Sequence, residues 1–531
     1  AYGAGGGTHT VTVTSGLVRG DLDFGRYDIA PVAVDDTVTT VAGVVPAAPA
    51  DDAEFCRRVH LDLVGRAPRV NETLAFLEDA APDKRAKLVD RLLGTAPYAA
   101  HMAAVTRAAW IPQSVNNQQF AFVGFQFEGW LQKQFRENVP ADRTVRAVLE
   151  LPYTVNGPVG APQRFVQPTG SDPDRAAISA FYQANESKAE NMGAAVSRTF
   201  LGVKLECAQC HDHPFAPYTK SQFWEFAAFF ADLNRTPVNR PSEPAPTGPQ
   251  ATRNRLVIPN TADVVVAKFF DGREPEWTEV LSPRQELAAW LTGKQNPYFA
   301  ANLANRTWAH FFGVGILDPV DEPGENNAPS HPELLAELGR AFSASGYDNR
   351  FLIRAVTRTK AYQLTSRLTH PTQADARRFA RMNLKGLTPA QLFDSLVAAT
   401  GYREPAQFRN QPFFGVAQQN PRSQFLARFT STERPTEAST TILQALMLMN
   451  GDFLDAQTAP DRAEVLAAVA DIPGWSTRRR VETLFLAALG RRPTGDELDR
   501  YTSHVERGDP KKGLGDVFWV LLNSTEFLFN H

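Results

Sequence analysis

The stretch Asp51-Asp52-Ala53-Glu54-Phe55-Cys56-Arg57-Arg58-Val59-His60-Leu61-Asp62-Leu63-Val64-Gly65-Arg66-Ala67-Pro68 decides the fold class. Phe55, Val59 and Val64 recur at helical spacing, Asp51 and Asp52 are suited to cap the helix, and Gly65 can stop it in the left-handed conformation. The phrase returns near the other end of the chain as Thr483-Leu484-Phe485-Leu486-Ala487-Ala488-Leu489-Gly490-Arg491-Arg492-Pro493. Glu72 and Glu497 follow the two prolines at the same spacing. Each copy also has a similar closing phrase, Leu92-Leu93-Gly94-Thr95-Ala96-Pro97-Tyr98 and Leu521-Leu522-Asn523-Ser524-Thr525-Glu526-Phe527. A helix ended by glycine, an extended Arg-x-Pro and a second helix that buries its apolar face on the first make one supersecondary unit. Two copies point to duplication, not to a solenoid.

Outward from these copies the pattern stays helical. Helices are expected over 83–93, 120–135, 188–201, 221–230, 283–291, 297–312, 331–343, 350–359, 389–399, 436–454, 478–489, 495–504 and 514–522. The exceptions are local. Thr8-His9-Thr10-Val11-Thr12-Val13-Thr14 alternates with period two, as a strand does, and Val264-Val265-Val266 reads as a short second strand. Residues 233–260 hold Pro237, Pro241, Pro244, Pro246, Pro249 and Pro259 among polar residues, which no helix accommodates. The expected architecture is mostly α: a β extension and linker over 1–50, a helical domain over 51–232, a Pro-rich linker with a short strand over 233–281, and a second helical domain over 282–531.

With 531 residues, 43% of them hydrophobic and 21% charged, the chain can bury a sizeable core. A formal net charge of −3 leaves no basic excess to neutralise a phosphate backbone, so nucleic acid is not an expected partner. Arg478-Arg479-Arg480 and Arg491-Arg492 are read instead as solvated helix faces. No run approaches the roughly eighteen apolar residues of a membrane-spanning helix. A first residue of Ala1 is what removal of an export segment would leave.

Three cysteines exclude a disulfide-rich scaffold, and two of them stand in Cys207-Ala208-Gln209-Cys210-His211. Covalent haem c needs two thiols spaced for the two vinyl groups and a histidine directly after them to ligate iron, which assigns Cys207 and Cys210 to attachment and His211 to the axial position. Phe200, Leu201 and Leu205 before the motif, and Phe215, Tyr218, Phe223, Trp224, Phe226, Phe229 and Phe230 after it, suit a flat apolar macrocycle. The same residues also suit the core face of helices. Met192 or His60 could complete the iron as sixth ligand, with His101 a further choice, and His213 suits a contact one shell out. Zinc is the competing cofactor: Cys56 and His60, four residues apart on one helical face, would complete a tetrahedron with Cys207 and Cys210. A redox dithiol is the third reading.

These motifs resemble a known family. Residues 51–232 carry Asp52-Ala53-Glu54-Phe55-Cys56-Arg57-Arg58, Leu61-Asp62-Leu63-Val64-Gly65-Arg66-Ala67-Pro68, Asp83-Lys84-Arg85 and Leu201-Gly202-Val203-Lys204-Leu205-Glu206-Cys207 through His213-Pro214-Phe215. They resemble the planctomycete cytochrome-like domain of the second type. Residues 282–531 resemble its usual companion, the planctomycete surface domain of the first type, through Asn296-Pro297, Asn305-Arg306-Thr307-Trp308, Phe312-Gly313, Pro329-Ser330-His331-Pro332-Glu333-Leu334-Leu335, Gln444-Ala445-Leu446 and Asn450-Gly451. The resemblance implies an exported or surface-associated protein of generally unassigned activity; redox or surface-assembly proteins are the expected partners. Two departures stand out. Cys56 and His60 occupy positions expected to be apolar or aromatic. Where related surface domains carry Cys-x-Cys before Glu-Arg, this chain has Thr430-Ser431-Thr432-Glu433-Arg434.

Other clusters have plainer readings. Ser330 is expected to cap a helix with His331, Pro332 and Glu333 in its first turn. Asp318, Asp321, Glu322 and Glu325 read as a solvated acidic loop whose spacing fits no EF-hand. Trp308 and His310 read as core, and neither a phosphate-binding glycine loop nor a nucleophile elbow is present. No catalytic residue is assigned. The expected function is that of an electron carrier or redox module at the cell surface. The alternatives are a structural protein with a zinc site or no metal, and a haem enzyme acting on peroxide or a polymer.

Overall fold

A computed structural model describes residues 43–116, 118–153, 172–213, 216–233, 254–277, 280–324, 327–403, 421–428 and 452–531. The strand expected over 8–14, most of the Pro-rich segment and most of the helix expected over 436–454 lie outside them. The described architecture is mostly helical. Its strands are short: Arg255–Val257 pairs antiparallel with the expected Val264–Val266, and Lys385–Gly386 pairs antiparallel with Phe529–Asn530, Lys385 opposite Asn530. No helix among the described residues is long and apolar enough to cross a membrane.

Local chemistry sets the helix ends. Asp51 accepts a bond from the Glu54 amide and starts the Asp52–Val64 helix, and Ser476 does the same for Thr477–Leu489 through the Arg479 amide. Gly65 and Gly490 end these helices at φ 71° and 70°, the left-handed conformation a side chain resists. Asp52 does not cap: its carboxylate pairs with Lys84 and Arg85 at 2.7 and 2.8 Å. Ser330 does not cap either. The Pro332–Ala344 helix has His331 at its cap position, because the Ser330 hydroxyl and amide both donate to the Ile316 carbonyl.

The chain forms two compact units, neither continuous in sequence. The first takes the residues up to Tyr98, His310–Gly313 and Arg354–His531. It contains both copies of the repeat, built alike: Asp52–Val64, Val70–Leu77 and Lys84–Leu93 in one, Thr477–Leu489, Gly495–Glu506 and Pro510–Leu522 in the other. In each, an arginine after the glycine grips a glutamate with two bonds, Arg66 on Glu72 at 2.8 and 2.9 Å and Arg491 on Glu497 at 2.8 and 2.9 Å. In each, a hydroxyl closes the third helix, Thr95 on the Leu92 carbonyl and Ser524 on the Leu521 carbonyl. Arg491 is therefore no solvated face, since it also holds Glu526. Arg480 is likewise engaged, donating to the carbonyls of Val469 and Ile472.

The second unit takes Ala99–Ala309 and Val314–Ile353. Its core is aromatic: Trp110 meets Phe200 edge to face at 4.8 Å, Phe226 stacks on Phe270 at 4.5 Å and Phe229 stacks on Phe269 at 5.2 Å. Arg284, nearly buried, ties it together by donating to Asp232, to the Tyr182 hydroxyl and to the carbonyls of Leu151 and Tyr153.

Candidate functional site: a cysteine-histidine turn

The segment leading to Cys207 is fixed from both sides within the second unit. The Ala189–Val196 helix widens into a π turn at Ser197–Leu201 and stops at Gly202, φ 69°. A Cβ at Gly202 would lie 2.6 Å from Asn302 Oδ1, and Asn302 Nδ2 donates to the Thr199 carbonyl, so only glycine lets the two segments close. The Lys204 amide then donates to the Asp321 carbonyl and its ammonium pairs with Glu322 at 2.7 Å, while Arg306 pairs with Asp321 at 3.7 Å. Asp321 and Glu322 of the acidic loop thus face cations, and Glu322 stays exposed as expected of a solvated loop. Glu325 lies outside the described residues.

The motif begins on a 3-10 turn, Glu206–Gln209. A repeat of three residues per turn stacks side chains at i and i+3. Leu205 and Ala208 accordingly anchor the turn, both wholly buried, while Cys207 and Cys210 face solvent as free thiols. Trp224 Nε1 donates to the Gln209 carbonyl at 3.1 Å and holds the turn on the Lys220–Ala227 helix. Asp212 accepts from the Lys220 amide at 2.8 Å, and the His213 amide donates to the Tyr218 carbonyl at 2.8 Å, which closes the following loop. His211 is exposed and its Nδ1 donates to the Asp212 carbonyl at 2.7 Å. That bond selects the tautomer with its lone pair on Nε2, the form in which an imidazole ligates a metal. Glu206 beside Cys207 is raised above the usual carboxylate range because burial outweighs the pull of Arg198.

Two exposed thiols and the neighbouring imidazole are the kinds of donor that a haem c would take. The aromatic residues that suited the macrocycle are used otherwise: Phe200, Phe223, Trp224, Phe226, Phe229 and Phe230 are buried in the core of the second unit. Phe215 lies outside the described residues. Met192 is wholly buried in the Ala189–Val196 helix, where Gly193 packs on Ala227. His101 is half-buried in the Ala96–Trp110 helix, and the His213 ring stands edge-on to Tyr218.

Cys56 and His60 belong to the core of the first unit. His60 Nδ1 donates to the Cys56 carbonyl at 2.8 Å, with Cys56 Sγ 3.7 Å from the same nitrogen. Burial pushes the Cys56 thiol up to about 12 and the His60 imidazole down to about 4, so the pair is neutral in the fold and the Cys56 thiol holds the proton a metal would have to displace. Cys207 and Cys210 sit in the other unit. Among the described residues no three or more His, Cys, Asp and Glu side chains gather as a metal-binding group.

One cluster was not read from the sequence. Asp62, almost fully buried in the first unit, accepts from Lys385 Nζ at 2.6 Å, Asn530 Nδ2 at 2.7 Å and the Tyr362 hydroxyl at 2.7 Å. Its backbone carbonyl accepts from His310 Nε2 at 2.8 Å. The available signal was a charged residue on an apolar helix where the second copy has Ala487.

Comparison with protein families agrees with the two-part reading. Residues 34–235 match the PSCyt2 model, described as a protein of unknown function (DUF1549), and residues 283–426 match the PSD1 model, described in the same way (DUF1553). No curated protein and no solved structure matches the chain.

Proposed function

We propose that this chain, which belongs to the proteins joining a PSCyt2 domain to a PSD1 domain, is an exported redox module carrying one haem c on Cys207, Cys210 and His211. The observation that carries the reading is the turn itself: two free thiols exposed at i and i+3, with an imidazole next in sequence whose Nδ1 is engaged and whose Nε2 lone pair remains for iron. A haem held there would supply one-electron iron chemistry. The chain's own residues do the positioning. Leu205, Ala208 and the Trp224 bond to Gln209 fix the turn, and the Asp212 carbonyl orients His211. Met192 and His60, two candidates for the sixth position, are both fully buried.

The competing reading is a surface scaffold without cofactor. It is favoured by the aromatic residues around the motif, which are packed into the core and leave no wall for a macrocycle among themselves. Visible absorption of the native protein separates the two. The redox reading predicts a Soret band, and a spin-state signature unchanged in the Met192→Leu variant would rule that residue out as sixth ligand; no band at all supports the scaffold.

A further inference from the structure

Lys385 and Asn530 are direct partners across the short antiparallel pair of the first unit, so their side chains leave the same face. Both end on one oxygen, Asp62 Oδ1, at 2.6 and 2.7 Å. All three residues are buried. Lys385 Nζ also faces the carbonyls of His310 at 3.2 Å and Phe311 at 2.7 Å, and Asp62 Oδ2 takes the Tyr362 hydroxyl. The Asn530 amide is held through Nδ2 alone, its Oδ1 buried without a hydrogen-bond partner. The reverse orientation would set two oxygens against each other on Asp62, so the nitrogen-to-carboxylate assignment is the sound one.

An amine and a carboxamide on adjacent strands, bridged by one carboxylate and shut away from water, are the reactants and the proton carrier of an amide exchange. We propose that Lys385 and Asn530 join in an intramolecular amide bond, with Asp62 transferring the proton and ammonia leaving. Nζ, as the neutral amine, attacks Asn530 Cγ with its electron pair and forms the new C–N bond. Asp62 takes a proton from Nζ and delivers it to Nδ2. The Cγ–Nδ2 bond then breaks with its electrons on nitrogen, which departs as ammonia. No oxidant, reductant or cofactor enters. Burial lowers the hold of Lys385 on its proton, against the opposing pull of Asp62, which favours the amine form the attack requires. The product would tie the last strand, Phe529–Asn530, covalently to Lys385–Gly386.

Mass spectrometry of the unfolded full chain and of its proteolytic peptides tests this. The wild type is expected to yield one branched peptide containing Lys385 and Asn530, lighter by ~17 Da than the sum of its two parts. The Lys385→Arg variant, which keeps a cation on Asp62, is expected to yield the two peptides separately at full mass. Separate full-mass peptides in the wild type overturn the proposal. A deficit of ~18 Da on a Lys385–Asp62 linkage, the loss of water, overturns it as well. The readout lies on the 385 and 530 peptides, so a missing haem at Cys207–His211 does not alter it.

Discussion

The two copies of the repeat in the first unit share helix ends, an Arg–Glu clamp and a hydroxyl stop, yet their first helices are filled differently. Thr477–Leu489 buries Val481, Leu484, Phe485, Leu486, Ala487, Ala488 and Leu489, an ordinary apolar side. Asp52–Val64 buries Arg57, Arg58, His60 and Asp62 along with its apolar residues. In register, His60 stands where the second copy has Phe485, Asp62 where it has Ala487 and Arg58 where it has Thr483. The difference teaches what the duplication was used for. The second copy packs as a plain helix, and the first became the polar organiser of the unit. Arg57 donates to the carbonyls of Ala488 and Phe527 of the other copy, and Arg58 to those of Tyr362, Leu364 and His531.

Breaking that asymmetry should show most at Arg58. Its guanidinium is wholly buried and also pairs with Glu54 at 2.7 Å, so Arg58→Ala strands several carbonyls and a carboxylate and is expected to cost ~3–5 kcal/mol. Thr483→Ala at the matching place is expected to stay within about 0.5 kcal/mol. Urea unfolding of the two variants measures the contrast, and equal losses would dissolve the claimed specialisation.

The next effect is one of pH. His60 is neutral in the fold because burial holds it at about 4, below the ordinary 6.5, and its Nε2 is buried without a partner. The unfolded chain therefore binds the extra proton first, and stability fully present above pH 6.5 falls as pH drops toward 4. His60→Phe, which installs the residue of the second copy, should flatten the stability profile across that window while retaining the fold. A profile that keeps its slope in the variant would remove His60 as the cause. The clamps behave differently, since burial would raise Glu72 but hydrogen bonds from Arg66 and the Arg69 amide prevail and hold it at about 2. Hydrogen bonds from Arg491, against burial, likewise hold Glu497 at about 2. Both clamps should hold above about 4.5 and weaken together as pH falls toward 2.

The smallest contrast lies in the clamps themselves. Arg491 grips Glu526 as well as Glu497, whereas the position matching Glu526 in the first copy is Pro97, which leaves Arg66 with Glu72 as its one carboxylate among the described residues. Arg491→Ala is expected to cost ~2 kcal/mol and Arg66→Ala ~1 kcal/mol. Thermal unfolding of the pair would expose a reversed order, which would count against the double clamp.

Much of this was legible because it is local. The glycine stops, the Arg-x-Pro turns and the Asp51 cap follow from neighbouring residues, and the spacing of Cys207, Cys210 and His211 marks them as one local site. What sequence could not supply is distance in space. Asp62, Lys385 and Asn530 lie far apart along the chain, and nothing in the alternation near Lys385 says that its neighbour across the strand is the penultimate residue. Exposure was equally hidden: Phe223, Trp224 and Phe226 near a cofactor motif read as a haem bed or as core, and only packing distinguishes the two. Ser330 failed as a cap because a distant carbonyl, Ile316, competed for its hydroxyl.

Whether the exposed turn carries haem is read from an intact-mass spectrum of the denatured native protein. A redox module is expected to show a chain heavier by one covalent haem, with both Cys207 and Cys210 protected from alkylation and the added mass lost in the Cys207→Ser, Cys210→Ser double variant. A chain without added haem whose two thiols both alkylate would contradict it.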